Sequence, residues 1–159
     1  MSNRRFLVLA AAVAALAGCA TTSTPVSVTD TIAAQSQLST LNGLVAKAGL
    51  ADTLKGTGPY TVFAPTNEAF AKVPAKTMDE LGKDPAKLKA VLAYHVVPGK
   101  VMAADVKNGN TKTVNGANVA LSKAGEFVTV EEALVQKADI SATNGVVHIV
   151  DAVLIPPAR

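Results

Sequence analysis

Ten residues near the C-terminal end of the chain, Val146 to Ile155, are apolar except for His148 and Asp151. No other feature restricts the fold as strongly. A strand with one wet face alternates apolar and polar residues. An unbroken apolar run reads instead as a central strand covered on both faces. Asn144-Gly145 stands directly before this run, and Asn115-Gly116 stands between two earlier strand-like runs. Asn and Gly both tolerate positive φ, so each pair reads as a two-residue hairpin turn. Val96-Val97 leads into a further turn at Pro98-Gly99. The chain from His95 onward is therefore expected to be β.

The residues before His95 carry helical signals. Asp30 is placed to cap a first short helix, and Ser39 the next, where Leu41, Leu44, Val45 and Ala48 recur at helical spacing. Gly43 inside that helix costs about 1 kcal/mol relative to alanine. Leu50 to Leu54 adds a turn or two before Gly56, and Gly58-Pro59 is a turn. Tyr60 to Ala64 reads as a strand stopped by Pro65. Thr66 then caps a short helix through Phe70, with Glu68 favourably placed in the first turn. Asp84-Pro85 combines a cap with proline at the first helical position. It opens a helix that carries Leu88, Val91, Leu92 and His95 on one face. No domain-sized repeat is present. Helices first and a β meander after them give the class α+β, one domain over residues 30–156, with 157–159 as a tail.

The N-terminal eighteen residues are of another kind. Arg4 and Arg5 precede an apolar stretch from Phe6 to Gly18. That stretch is shorter than the roughly 20 residues needed to span a bilayer, and it suits the apolar region of an export signal. It ends in Leu16-Ala17-Gly18-Cys19, which resembles the bacterial lipobox. The expectation is a lipoprotein signal peptide at residues 1–18, cleaved so that Cys19 carries the lipid. Two or more acyl chains make such an anchor stable. Cys19 is the sole cysteine, so no intrachain disulfide is available. Residues 19–29, rich in Thr and Ser with Pro25, read as a linker; its extended part reaches on the order of 33 Å. Ala20 lacks the charge of an inner-membrane retention signal, which favours the outer membrane in a host that has one. Localisation in the cell envelope follows, facing the periplasm or the cell surface.

Removing the signal takes away two arginines and no acid, so the net charge falls from +3 to +1. The apparent basicity belongs largely to the export segment. Nucleic acid is excluded as a partner, because binding it needs a concentrated basic face. Two histidines, one cysteine and no His-Glu-x-x-His spacing supply no metal-binding pattern, and no cofactor is expected. A Gly-x-Ser-x-Gly elbow and a Gly-rich phosphate loop are both absent, so the chain is not expected to be an enzyme.

Three segments together resemble the fasciclin domain: Thr61-Val62-Phe63-Ala64-Pro65-Thr66-Asn67-Glu68-Ala69-Phe70, Tyr94-His95-Val96, and Asn144-Gly145 through His148 and Asp151 to Pro156. Their order and spacing cover about Val28 to Pro156. The resemblance implies a β-sandwich wedge with N-terminal helices packed at one side. It also implies a secreted or surface-bound role in adhesion and protein interaction, with an unknown protein or matrix partner. Within this motif Thr61, Phe63, Pro65, Asn67, Phe70, Asn144, Gly145, His148 and Asp151 are structural candidates.

Adhesion in animal members has been assigned to positions that match Tyr94, His95, Asp139 and Ile140. Ala138 and Ser141 depart from the animal pattern around the second pair, which sets integrin binding apart from this chain. Each candidate also has a structural role open to it. His95 on an apolar helix face suits a hydrogen-bonded core histidine. Tyr94 can bury its ring and hold a backbone carbonyl. Asp139 can bond backbone in a turn, and Ile140 can join the core. His148 is expected to tie its strand to a helix or loop. A second reading is a carrier of an apolar small molecule, since some fasciclin-like proteins bind carotenoids and this composition is aliphatic.

Overall fold

The computed structural model describes residues 26–156. The export segment 1–18, Cys19, the linker up to Pro25 and the tail 157–159 lie outside the described residues. The helical half comprises α1 (Val28–Ala33), a 3-10 turn at Ser36–Leu38, α2 (Ser39–Lys47) and α3 (Ala51–Leu54). Strand β1 (Tyr60–Pro65) follows, then α4 (Asn67–Lys72), α5 (Ala75–Lys83) and α6 (Pro85–Tyr94). The remainder is β2 (Val96–Pro98), β3 (Gly109–Lys112), β4 (Asn118–Ala124), β5 (Phe127–Val130), β6 (Ala133–Ala142) and β7 (Gly145–Val150).

The seven strands form one mixed sheet in the order β2-β1-β7-β6-β5-β4-β3. Only β1 and β7 run parallel, in register from Tyr60↔Gly145 to Pro65↔Val150. The sheet curls like a barrel, and its ends approach where the Val114 N–H donates to the Val96 carbonyl at 2.8 Å. The fold is therefore α+β, as expected.

All six residues of β7 are buried. Alternation along β1 and β7 divides them between two cores. Val62, Ala64, Val147 and Ile149 face the helices and pack with Ile32, Leu38, Leu41, Leu88 and Leu92. Phe63 and Val150 face the barrel interior with Tyr94, Val97, Val119, Leu121, Val128 and Val130. Burying each aliphatic side chain of β7 contributes about 1.5–3 kcal/mol, which makes this strand the seam between the two layers.

Several local expectations change. Helix α1 is capped by Ser27 and not Asp30: Ser27 Oγ accepts the Asp30 N–H at 3.3 Å and donates to Asp30 Oδ2 at 2.6 Å. The expected linker, drawn to Thr29, overlaps this helix, because Val28 is fully buried and belongs to the core. Ser39 does not cap α2; Asn67 does so from α4, accepting the Thr40 N–H at 3.0 Å. Helix α5 was not among the expected elements. Its single buried residue, Leu81, gives little apolar periodicity. The apolar run 146–155 is strand only to Val150: pairing with β1 ends at Pro65↔Val150, and Asp151, though bonded to Leu134 of β6, begins a bend.

Neither Asn-Gly pair is the two-residue turn expected. The β3–β4 connection spans five residues, with the Gly116 N–H bonded to the Thr113 carbonyl and only Gly116, of the pair, at positive φ. Between β6 and β7 the turn is Thr143-Asn144, since Ala142 pairs with Gly145. Gly145 is needed for another reason: a Cβ there would lie 1.9 Å from the Tyr60 carbonyl oxygen. The glycine lets β1 and β7 approach at their shared starting point.

Candidate functional site

Tyr94 and His95 close α6 inside the molecule. Both are buried, each only 2% exposed. His95 Nδ1 lies 2.8 Å from the Val91 carbonyl, and His95 Nε2 accepts the Leu154 N–H at 3.0 Å. That pattern fixes the neutral tautomer with the proton on Nδ1. Burial pushes the imidazole pKa down to about 4, partly offset by the bond to Val91. The Tyr94 hydroxyl lies 3.0 Å from both the Asn118 carbonyl and Glu131 Oε1. Burial and then the Glu131 carboxylate push its pKa up to about 12. Glu131 itself sits in the β5–β6 turn at φ 55°, and its Oε1 accepts the Ala120 N–H at 2.9 Å. A left-handed glutamate is thus held by a strand and a tyrosine. Sequence reasoning missed it; the only signal is the Glu131-Glu132 pair between two apolar strand ends.

A second cluster forms on the barrel side of the central strands. Thr61 Oγ1 donates to the Gly99 carbonyl at 2.7 Å and accepts the Val101 N–H at 2.8 Å. His148 Nε2 lies 2.7 Å from the Val101 carbonyl, and His148 Nδ1 accepts the Asp139 N–H at 3.2 Å. Its ring stacks on Phe63 at 5.6 Å between centroids. Asp139 stands at φ 58° in the irregular middle of β6, and its carboxylate accepts the Ala103 N–H at 2.7 Å. Thr61, His148 and Asp139 together clamp the segment from Gly99 to Ala103 over the sheet. Burial holds His148 below the ordinary histidine pKa; the Val101 carbonyl and the Asp139 charge work the other way. Asp139 is exposed and Ile140 half-buried against the helical core. The structure does not bring this pair to Tyr94 and His95, which close the far end of the barrel core with Leu154 and Glu131.

The motif residues hold elements together. Asn67 Oδ1 caps α2, while its Nδ2 donates to the Ser36 carbonyl at 3.2 Å. Asn144 joins three elements: Oδ1 accepts the Val28 N–H at 2.9 Å, and Nδ2 donates to the carbonyls of Leu54, at 2.5 Å, and Gly56, at 3.0 Å. Its own carbonyl accepts the Tyr60 N–H. Asp151 Oδ1 accepts the Leu134 N–H at 2.8 Å, and the Asp151 N–H returns a bond to the Leu134 carbonyl. Thr66 caps α4 at the Ala69 N–H just past Pro65, and Phe70 fills the helical core.

The strands give the domain two poles. The chain enters beside the β6–β7 turn, where Val26 accepts the Thr143 N–H at 3.0 Å. The six residues of β7 then cover about 20 Å and deliver Asp151 to Pro156 to the opposite end. Two half-open clefts flank Ile155 there. One, of about 440 Å³, is lined by Tyr94, Glu131, Glu132, Ala133, Val153 and Ile155 among others. The other, of about 530 Å³, has Leu81, Lys87, Ala90, Val91 and Ala117 opposite Ile155. Ile155 is 54% exposed. Among the described residues no group of His, Cys, Asp and Glu is arranged to hold a metal ion. Nor is any helix among them long and apolar enough to cross a membrane.

Comparison with known proteins matches residues 36–156 to the fasciclin domain model. The chain is 41% identical over 142 residues to protein sll1483 of Synechocystis sp., covering 87% of this chain and 78% of that one. It is 40% identical over 110 residues to the cell surface glycolipoprotein MPB83 of Mycobacterium bovis, covering 69% of this chain and 49% of the relative. It thus spans about half the length of that mycobacterial protein. Among solved structures it resembles a FAS1 domain pair from the insect cell adhesion molecule Fasciclin I. The TM-score is 0.65 at 16% identity, over 82% of this chain and 51% of that one, which is a likeness of fold.

Proposed function

The chain belongs to the fasciclin domain family, and from that premise we propose that it is a non-catalytic interaction module of the cell envelope, held to a membrane through lipid on Cys19. The family match over residues 36–156 carries this reading. A mycobacterial relative named a cell surface glycolipoprotein supports the location. The chemistry supports binding over catalysis. Both histidines hold each ring nitrogen in a bond to backbone, which leaves no imidazole placed to move a substrate proton. Tyr94 and His95 act in this reading as supports of the distal pole, and Asp139 and Ile140 as the more accessible pair.

The anchor is tested by labelled palmitate in the native host. The intact protein takes up label and the Cys19→Ala variant does not; equal labelling of both removes the lipid. The adhesive role is tested by capture on native envelopes with Cys19 intact. Retention of a defined protein partner is expected, and indistinguishable envelope and surface binding of wild type and a domain-deleted strain refutes it.

A carrier of an apolar small molecule is the second reading. The cleft beside Leu81, Ala90 and Val91 favours it, with a volume inside the usual range of small-ligand sites, about 300–1,000 Å³. Native mass spectrometry of protein from its own host is the check. A mass equal to the bare chain plus its lipid, with no extractable ligand or colour, ends this reading.

A further inference from the structure

We propose that the segment Ala152–Pro156 is the receiving edge for an extended peptide of a protein partner, one that carries a basic and an aliphatic side chain on the same face. The proposal rests on the interaction reading above and names the surface and the chemistry of its partner.

The backbone supplies the first part. Past Val150 the chain bends at Asp151 and Ala152, leaves the sheet, and runs to Pro156 outside any helix or strand. Asp151 is bonded to Leu134, and Leu154 is pinned by its N–H to His95 and by its buried side chain. Among the described residues, the N–H groups of Ala152, Val153 and Ile155 donate to no other group. An anchored segment with open N–H groups can take main-chain bonds from a peptide laid along it, the mode that strand addition uses: main-chain bonds give affinity, and flanking pockets select side chains.

The clefts supply the second part. They lie on either side of Ile155, so an added strand that crosses it meets both. The smaller cleft is lined by Glu131 and Glu132 and by no cation. It complements a lysine or arginine. The larger holds Leu81, Ala90, Val91 and Ala117 on its apolar side, with Glu80 and Lys87 of opposite charge also lining it, and its apolar side fits an aliphatic side chain. The exposed Ile155 between them is the apolar anchor expected at the centre of such a contact. His95 acquires a role here: it is a positioning residue, whose Nε2 fixes the edge to the end of α6. The edge also lies at the pole opposite Val26.

The test uses the full chain, isotope-labelled in detergent micelles, titrated with the blocked peptide Thr-Lys-Val-Leu-Thr. Amide resonances of Ala133 and of 152–155 are expected to shift together and saturate. Ile155→Glu should weaken binding roughly tenfold, and Glu132→Lys roughly threefold, each factor of ten being about 1.4 kcal/mol. Exchanging the peptide's lysine for glutamate should weaken it as Glu132→Lys does, which keeps the test alive if a protein variant fails to fold. Saturation elsewhere, no saturation at millimolar peptide, or equal binding of the glutamate peptide overturns the proposal. Envelope capture separates the two readings: a partner retained equally by wild type and Ile155→Glu leaves adhesion standing and removes this surface.

Discussion

Asn144 is the residue whose removal reports most directly on how the domain is held together. Its side chain makes three hydrogen bonds, to the N–H that starts α1, to the carbonyl of Leu54 that ends α3, and to Gly56. The first two partners are helix ends, which leave backbone groups without a helix bond, and the third lies in the bend that follows α3. A net hydrogen bond contributes about 1 kcal/mol, so three give about 3. Asn144 is only half-buried, and entering water restores part of the loss, which brings Asn144→Ala to about 2–3 kcal/mol. For a domain of this size, with total stability of about 5–15 kcal/mol, that is a substantial fraction. Urea unfolding followed by circular dichroism should show the midpoint falling with the slope unchanged. Asn144→Asp separates geometry from volume. It keeps the acceptor for Val28 but turns both donors into a carboxylate facing two carbonyls, so it should destabilise at least as much as alanine. A loss below about 0.5 kcal/mol for both variants, the size of an ordinary surface change, refutes the idea that this side chain binds the helical layer to the sheet.

Gly145→Ala should be more severe, above about 4 kcal/mol or without soluble product, because its Cβ meets the Tyr60 backbone and not a movable side chain; thermal unfolding checks it. Stability should decline as pH falls from about 6.5 towards 4. His95 stays neutral in the fold, at a pKa of about 4, whereas the unfolded chain takes up the proton near 6.5, so up to about 3 kcal/mol is lost across that window. His148 acts in the same direction. Proton-detected titration of the two rings with urea midpoints at each pH measures this, and a His95 ring that titrates near 6.5 contradicts it. Tyr94→Phe should cost about 1–2 kcal/mol by removing the hydroxyl from Glu131 and Asn118, with the β5–β6 turn amides exchanging faster.

Local signals that depend on neighbouring residues were legible. Thr66 and Asp84 cap the helices they were expected to cap, and the strand at Tyr60 ends at Pro65. A cap needs only a side chain within three residues of an N–H, and that is written in the sequence. The same logic missed by three residues at α1, where Ser27 and Asp30 are equally good caps by type and only the burial of Val28 decides between them. It failed at α2, because the group that caps this helix comes from Asn67, 27 residues away from Thr40.

The sequence by itself determined that β7 is a central strand, since an apolar run with no wet face has no other stable place. It also showed that Gly145 and Asn144 matter, though not why. The reason is tertiary: β1 and β7 lie parallel although more than eighty residues separate them, and only their meeting makes a Cβ at Gly145 impossible, while the packing of α1 and α3 beside the β6–β7 turn gives Asn144 its three partners. The same holds for the candidate site. Tyr94, His95 and Asp139 were visible as residue types. Whether a histidine faces a partner or a backbone amide depends on what the rest of the chain brings to it. Here Leu154, 59 residues away, meets His95, and the pole that this contact builds exists only in the folded domain.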